Sequence, residues 1–325
     1  MLSLPTGKQL EDRLADWIET AVLFGTAGSV SLAQLLDWLE EEGIATDLDL
    51  YDELNDVELG GEDEPSAIAR LRSESAEGIG PGAIPAHDAL LRVQYRADIV
   101  GAHYPIELHG NVALRNVNSW QDAPVYAFLL ALNARHFHHL DVDFQRGARL
   151  FERVVAIALG AYWGGEVAHF GWPRDTGEAT AFGKAFPRLV RQMGERLTRE
   201  PDELPGRLKD FSVDVAAWRR LDDRRGQSIM LCQCSIGSDW EEKGLHIEAW
   251  QRLISFAVGP IKGLAFPFIP ESERPYSDIE WEILSARGGV PFDRLRLAGL
   301  APDLPEPLRA EVIDWTASMA GVLGD

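Results

Sequence analysis

Residues 208–244, "LKDFSVDVAAWRRLDDRRGQSIMLCQCSIGSDWEEKG", hold two apolar runs separated by a charged turn. "VDVAAW", beginning at Asp214, has strand composition, "RRLDDRRG" reads as a turn and "QSIMLCQCSIG" as a second strand, so the stretch predicts a hairpin. Side chains alternate across a strand, which places Ile229, Leu231, Gln233 and Ser235 on one face and Met230, Cys232 and Cys234 on the other. Gln233 is therefore a polar group inserted into an apolar row and needs a partner. Antiparallel pairing would bring Asp214 and Gln233 to the same end of the sheet. Lys243 follows on the next segment, after Gly237 breaks the strand and Trp240 offers an anchor. The ordinary alternative for Asp214 is a turn residue at a strand edge, and Asp210 reads better as a turn or cap than as a ligand.

The chain around this hairpin has 325 residues, 46% hydrophobic and 26% charged, enough for a sizeable core in two domains. No apolar run approaches the roughly 18 residues that span a bilayer, and the opening "MLSLPTGKQLEDRL" lacks a basic segment followed by an apolar one. A cytoplasmic protein with no membrane partner is expected. Cys232 and Cys234 are two residues apart on one strand, which reads as a pair of reduced, buried thiols, and two ligands are too few for a closed zinc site.

The net charge of -21 is concentrated at the front: residues 1–110 carry 22 acidic and 6 basic side chains, and residues 111–325 carry 30 and 25. Leu14 to Ala69 contains 15 Asp and Glu and no Lys or Arg. Such a surface repels nucleic acid, whose binding runs on phosphate neutralisation. The remainder has arginine clusters at Arg188 to Arg207 and Arg219 to Arg225 that could face a polyanion.

Helical spacing of Leu10, Leu14, Trp17, Ile18 and Val22 predicts a first helix, and Ser31 would cap a second through "LAQLLDWLEEEG". Residues 44–66 read as a short helix inside acidic loops; their Asp spacing lacks the central glycine and closing Glu of a calcium loop. Ala86 to Val100 reads as a helix, "YPIELHGNVALRN" as a hairpin and "APVYAFLLALNARHF" as a further helix. Helices followed by a hairpin permit a winged-helix reading, against which the acidity argues. "HFHHLDVD", His136 to Asp143, is read as polar punctuation rather than a metal site, with the domain boundary placed there: 1–140, acidic and mainly helical, and 141–325.

The second domain opens with the helix "FQRGARLFERVVAIALGAYWGG". Its apolar arc runs close to Glu152, which shares a stripe with Val155, Leu159 and Trp163. A glutamate beside a buried face is paired, ligating or snorkelling to water. "EVAHFGWP" reads as a short strand and "AFGKAFPRLVRQMGERLTRE" as an amphipathic helix with an arginine-rich outer side. "HIEAWQRLISFAVG" reads as a helix, "KGLAFPFIP" as a buried strand and "VPFDRLRLAGL" as a terminal helix carrying Asp293, Arg294 and Arg296, where an Asp–Arg pair reads as a structural ion pair rather than a phosphate contact.

In this order of elements, "KDFSVDV" and "LCQC" resemble the strand entry and the "QCK" strand of the Mrr-like branch of the PD-(D/E)xK restriction-endonuclease-like superfamily, over roughly residues 145–300. The resemblance implies an α/β fold, a mixed sheet flanked by helices in the order helix, strand, strand, strand, helix, strand. It also implies a nuclease acting on DNA with Mg2+, or Mn2+ in its place, in a bacterial restriction or antiviral defence setting. Asp214 would be the central metal-binding aspartate, Gln233 would stand at the acid position, and Glu152 would be the helix-borne acid. The chain departs from the pattern at Ser235, where the lysine should stand, and Lys243 would be a migrated lysine. A catalytically silent nuclease-fold scaffold is the alternative, and an acidic domain that mimics DNA is a third. Weak DNA binding by so acidic a chain implies a protein partner with a basic surface, such as a nucleic-acid translocase or sensor, or self-assembly through apolar helix faces.

Overall fold

The computed structural model describes residues 10–41, 83–138, 143–171, 182–199, 212–237, 245–270 and 278–324. The expected short helix within 44–66, Asp210, Trp240 and Lys243 lie outside them. The chain divides into two compact units, 1–98 with 105–118 and 321–325, and 99–104 with 119–320.

In the first unit, helix α1 (Leu10–Phe24) buries Leu14, Trp17, Ile18 and Val22, the residues its 3.6-residue period selects. Strand β1 (Ser29–Ser31) leads into helix α2 (Leu32–Glu41). Ser31 caps α2 as expected: its Oγ accepts from the Gln34 N–H at 3.2 Å while Gln34 Oε1 accepts from the Ser31 N–H at 3.0 Å, so two orphan donors are satisfied reciprocally. Helix α3 (Ala83–Val100) precedes the hairpin β2 (Ile106–His109) and β3 (Val112–Arg115), whose turn needs a left-handed residue that Gly110 supplies at φ +60°. Strand β1, which the sequence did not announce, pairs antiparallel with β3, making a three-stranded sheet of order β1-β3-β2. The expected helices and hairpin are therefore present on an acidic chain. Their core holds buried Arg96, 2.7 Å from Asp16 and 3.1 Å from fully buried Glu19.

In the second unit, helix α4 (Pro124–His138) is apolar on nearly every side from Val125 to Leu132 and is buried accordingly. It belongs to this unit, on the far side of the boundary expected at residue 140. Helix α5 (Phe144–Trp163) begins on an Asp143 cap and ends at Gly164 in the left-handed region. After it come strand β4 (Glu166–His169), helix α6 (Phe182–Gln192), strand β5 (Arg196–Leu197), strand β6 (Val215–Arg219) and strand β7 (Ser228–Cys234). Helix α7 (Ile247–Leu253), strand β8 (Ile254–Ser255) and strand β9 (Ile261–Ala265) follow. Helix α8 (Asp278–Gly288), strand β10 (Val290–Phe292), helix α9 (Arg294–Leu300) and helix α10 (Leu308–Gly324) complete it.

The fold class is α/β. A five-stranded mixed sheet of order β10-β9-β7-β6-β4 runs antiparallel at β4/β6 and β6/β7 and parallel at β7/β9 and β9/β10. Ala216, Trp218, Ile229 and Leu231 face one core with Phe182, Phe186 and Trp250 of α6 and α7. On the sheet's other side α5 packs across β4 and β6.

Two expected helices are shorter than the sequence suggested. "HIEAWQRLISFAVG" turns extended at Ile254 because Ile254–Ser255 pairs with Arg196–Leu197. "VPFDRLRLAGL" begins as β10, lying beside β9; Gly289 makes that approach possible, since a Cβ there would stand 2.2 Å from the Lys262 carbonyl oxygen. Asp293 then caps α9, accepting from the Arg296 N–H at 2.9 Å, and Arg296 stacks over Trp281 at 4.7 Å. No described helix is long and apolar enough to cross a membrane.

Candidate functional site

The hairpin places Asp214 as the sequence suggested. Val215 pairs with Cys232 at the end of the β6/β7 ladder, and Asp214 and Gln233 follow one residue further along their strands, at the same end of the sheet. Asp214 is fastened there by its backbone and its side chain. Its N–H donates to the Cys232 carbonyl at 3.0 Å, its Oδ2 accepts from the Cys234 N–H at 2.7 Å, and its carbonyl accepts from the N–H groups of Phe170 at 2.6 Å and Gly171 at 3.0 Å. A carboxylate that receives a backbone N–H is held in one orientation.

Glu152 comes from α5, on the sheet face it covers. Its side chain is 14% exposed and its Oε2 accepts from His169 Nε2 at 2.6 Å, so the paired alternative holds rather than the snorkelling one. His169 ends β4 and pairs with Val215, adjacent to Asp214. A Cβ at Gly171 would lie 2.2 Å from Glu152 Oε2, so the carboxylate occupies the space that glycine leaves open.

Strand alternation puts Cys234 on the Cys232 face and Gln233 on the face of Ile229 and Leu231. Burial pushes the Cys234 thiol well above the usual range; a hydrogen bond with Cys232 and the charges of Cys232, Asp214 and Glu152 act in the same direction. Cys234 therefore stays a thiol at neutral pH, which suits neither a nucleophile nor a thiolate ligand. The amide oxygen of Gln233 is buried and has no hydrogen-bond partner among the described residues, contrary to the expectation that it finds one. Ser235, at the position where a lysine was expected, is 5% exposed and its N–H donates to the Ala265 carbonyl at 2.9 Å.

The hairpin end thus gathers Asp214 with the Glu152–His169 pair and Cys234, while Gln233 stands across the strand. Lys243, expected to complete the set, lies outside the described residues. Among the described residues no group of three or more His, Cys, Asp and Glu side chains is arranged to hold a metal ion. On the α5 side of the sheet the donors are the two carboxylates of Asp214 and Glu152. They suit a hard cation such as magnesium, which takes one or two carboxylates and keeps several waters. His169 is the residue that sequence reading missed. A single histidine at the end of a four-residue strand has no local signature, and the seventeen-residue separation from Glu152 is bridged only by the packing of α5 on β4. The chain matches no family model, no curated protein and no solved structure.

Proposed function

We propose that this chain is a metal-dependent nuclease that hydrolyses DNA phosphodiester bonds, built on a restriction-endonuclease-like fold, and that it works within a bacterial restriction or antiviral defence complex. The observation that carries this reading is the placement of Asp214 at the end of the β6/β7 pair, with Glu152 approaching from α5 and held at 2.6 Å by His169. The elements α5, β4, β6, β7, α7 and β9 follow in this chain order, with α6, β5 and β8 between them, and the parallel pairing of β7 with β9 supports it.

Magnesium, or manganese in its place, would supply charge neutralisation on the phosphate and activation of water. Asp214 and Glu152 would provide the negative charge that attracts the cation. Lys243 is the residue proposed to balance charge building on the phosphate.

A basic surface supports a polyanionic substrate. From Phe182 to Arg199 the side chains of Lys184, Arg188, Arg191, Arg196 and Arg199 are exposed. The one acid in that span, Glu195, is buried and paired with Arg225 at 3.0 Å. The start of α6 lies at the Asp214 end of the sheet: Phe182 packs edge-on against Phe170, whose N–H donates to the Asp214 carbonyl. The acidic first unit would dock on a basic partner, such as a nucleic-acid translocase or sensor, that adds the DNA affinity this chain lacks.

The test is cleavage of plasmid and single-stranded DNA by the full chain, alone and with candidate partners, in magnesium, manganese or chelator. Divalent-dependent cleavage that disappears in Lys243→Ala with metal affinity retained supports the reading. A second reading, a catalytically silent scaffold, is favoured by buried Ser235 at the lysine position. It predicts no cleavage under any condition and complex assembly unaffected by Asp214→Asn.

A further inference from the structure

We propose that His169 is the positioning residue that aims the carboxylate of Glu152, and that residues His169, Phe170 and Gly171 together form the clamp that presets the site; this rests on the metal-dependent reading above. An ionised carboxylate only accepts hydrogen bonds, so the 2.6 Å contact requires the proton on His169 Nε2. Both partners are largely shielded from water, at 8% and 14% side-chain exposure. The His169 backbone is itself anchored by the β4/β6 ladder through the His169–Val215 pair, adjacent to Asp214. The next two residues donate their N–H groups to the Asp214 carbonyl at 2.6 and 3.0 Å. A short segment therefore grips both acids at once, one through an imidazole and one through its backbone.

Gly171 contributes room. A Cβ there would meet Glu152 Oε2 at 2.2 Å, Glu152 Cδ at 2.9 Å and His169 Nε2 at 3.1 Å. The carboxylate is the movable member of that contact, so a methyl group would swing it away from both the imidazole and the site. With Oε2 taken by His169, Oε1 is the oxygen this arrangement offers to a cation. A glutamate without the clamp would have to give up its rotamer freedom when the cation binds, and the affinity would fall by that amount.

The experiment titrates Mn2+ alone into the full-length chain, following free Mn2+ by electron paramagnetic resonance, with circular dichroism and thermal melting as controls for folding. Glu152→Gln and Asp214→Asn should each weaken binding. His169→Ala should weaken it about 10- to 100-fold, Gly171→Ala comparably, and His169→Gln, which keeps an N–H donor, should restore most of the affinity. If His169→Ala and Gly171→Ala both bind Mn2+ like the wild type while Glu152→Gln and Asp214→Asn do not, the clamp is wrong and the metal reading survives. If Glu152→Gln and Asp214→Asn bind like the wild type, the metal reading fails and takes the clamp with it. If His169→Ala abolishes binding that Glu152→Gln retains, His169 is itself the ligand and the positioning role is overturned. Should His169→Ala not fold, Gly171→Ala and His169→Gln carry the same comparison.

Discussion

Asp214 Oδ2 accepts the backbone N–H of Cys234 at 2.7 Å, so the carboxylate at the entry of β6 is tied to the main chain of β7. One side chain thus has a structural task and a proposed chemical one, and the two can be separated by choice of substitution. Asp214→Asn retains an oxygen for the Cys234 N–H, whereas Asp214→Ala leaves that partly buried donor without a partner. Asp214→Ala should lose about 1–3 kcal/mol in urea unfolding, Asp214→Asn much less. Both should lose divalent-dependent cleavage by orders of magnitude. Near-normal cleavage in Asp214→Asn would remove Asp214 from the site.

Gln233 carries the opposite signature, a side-chain oxygen that is buried and partnerless among the described residues. Gln233→Leu removes that oxygen while keeping a similar volume in the row of Ile229 and Leu231. Stability should rise by roughly 1 kcal/mol while metal affinity stays as it is, because Gln233 lies on the sheet face away from Glu152. Thermal melts with and without Mn2+ read both effects, and a fall in stability without metal would mean that Gln233 has a structural partner.

The Cys234 thiol has a raised folded-state pKa, so its contribution runs in one direction with pH. Below the ordinary thiol value of 9.0 both folded and unfolded chains keep the proton, and the contribution is complete. Above it the unfolded chain ionises first, and stability is lost as pH rises toward the folded-state pKa. Cys234→Ala should flatten the decline in unfolding free energy between pH 8 and the alkaline limit of folding, measured by denaturant titration. An unchanged slope would show that Cys234 ionises as easily folded as unfolded.

Arg96 is 2% exposed and lies between Asp16 and Glu19 in the first unit. Replacing it with Met leaves Glu19, which is fully buried, without that cation. Such a loss costs about 3–5 kcal/mol, and Arg96→Met should unfold this unit at markedly lower denaturant. The double variant Arg96→Met/Glu19→Gln should recover part of the loss, because the second change removes the stranded charge. No recovery would place the cost in packing.

Lys184, Arg188 and Arg191 follow one another at four- and three-residue intervals along the exposed side of α6. Reversing all three to Glu should weaken DNA binding uniformly across sequences. It should also flatten the dependence of log Kd on log salt by about 0.9 for each phosphate that is no longer neutralised. Binding measured across a salt series, with Leu221→Ser as a control on the opposite end of the sheet, reads this directly. An unchanged slope would move the phosphate path elsewhere.

Local patterning carried much of this protein. The period-2 runs around Asp214 and Gln233 announced the β6/β7 hairpin, and helical spacing announced α1, α3, α4 and α5. Ser31 marked the start of α2, and the structure added Gln34 as its reciprocal partner. These features are local because a strand or helix declares its buried face through residues a few positions apart. The polar glutamine in an apolar row, and a glutamate beside a buried helix face, were legible for the same reason. What tertiary structure decided is what depends on distant partners. Ile254–Ser255 became a strand because Arg196–Leu197 lay beside it, and Val290–Phe292 because β9 offered an open edge. Helix α10, with Trp315 buried against Phe128, was not anticipated at all. His169 became the partner of Glu152 only when α5 was laid across β4, and Gly171 acquired a purpose only from the carboxylate beside it. Periodicity tells a side chain which way to face, but which group it meets is set by the packing of elements far apart in the chain, and that is where the clamp on Glu152 arises.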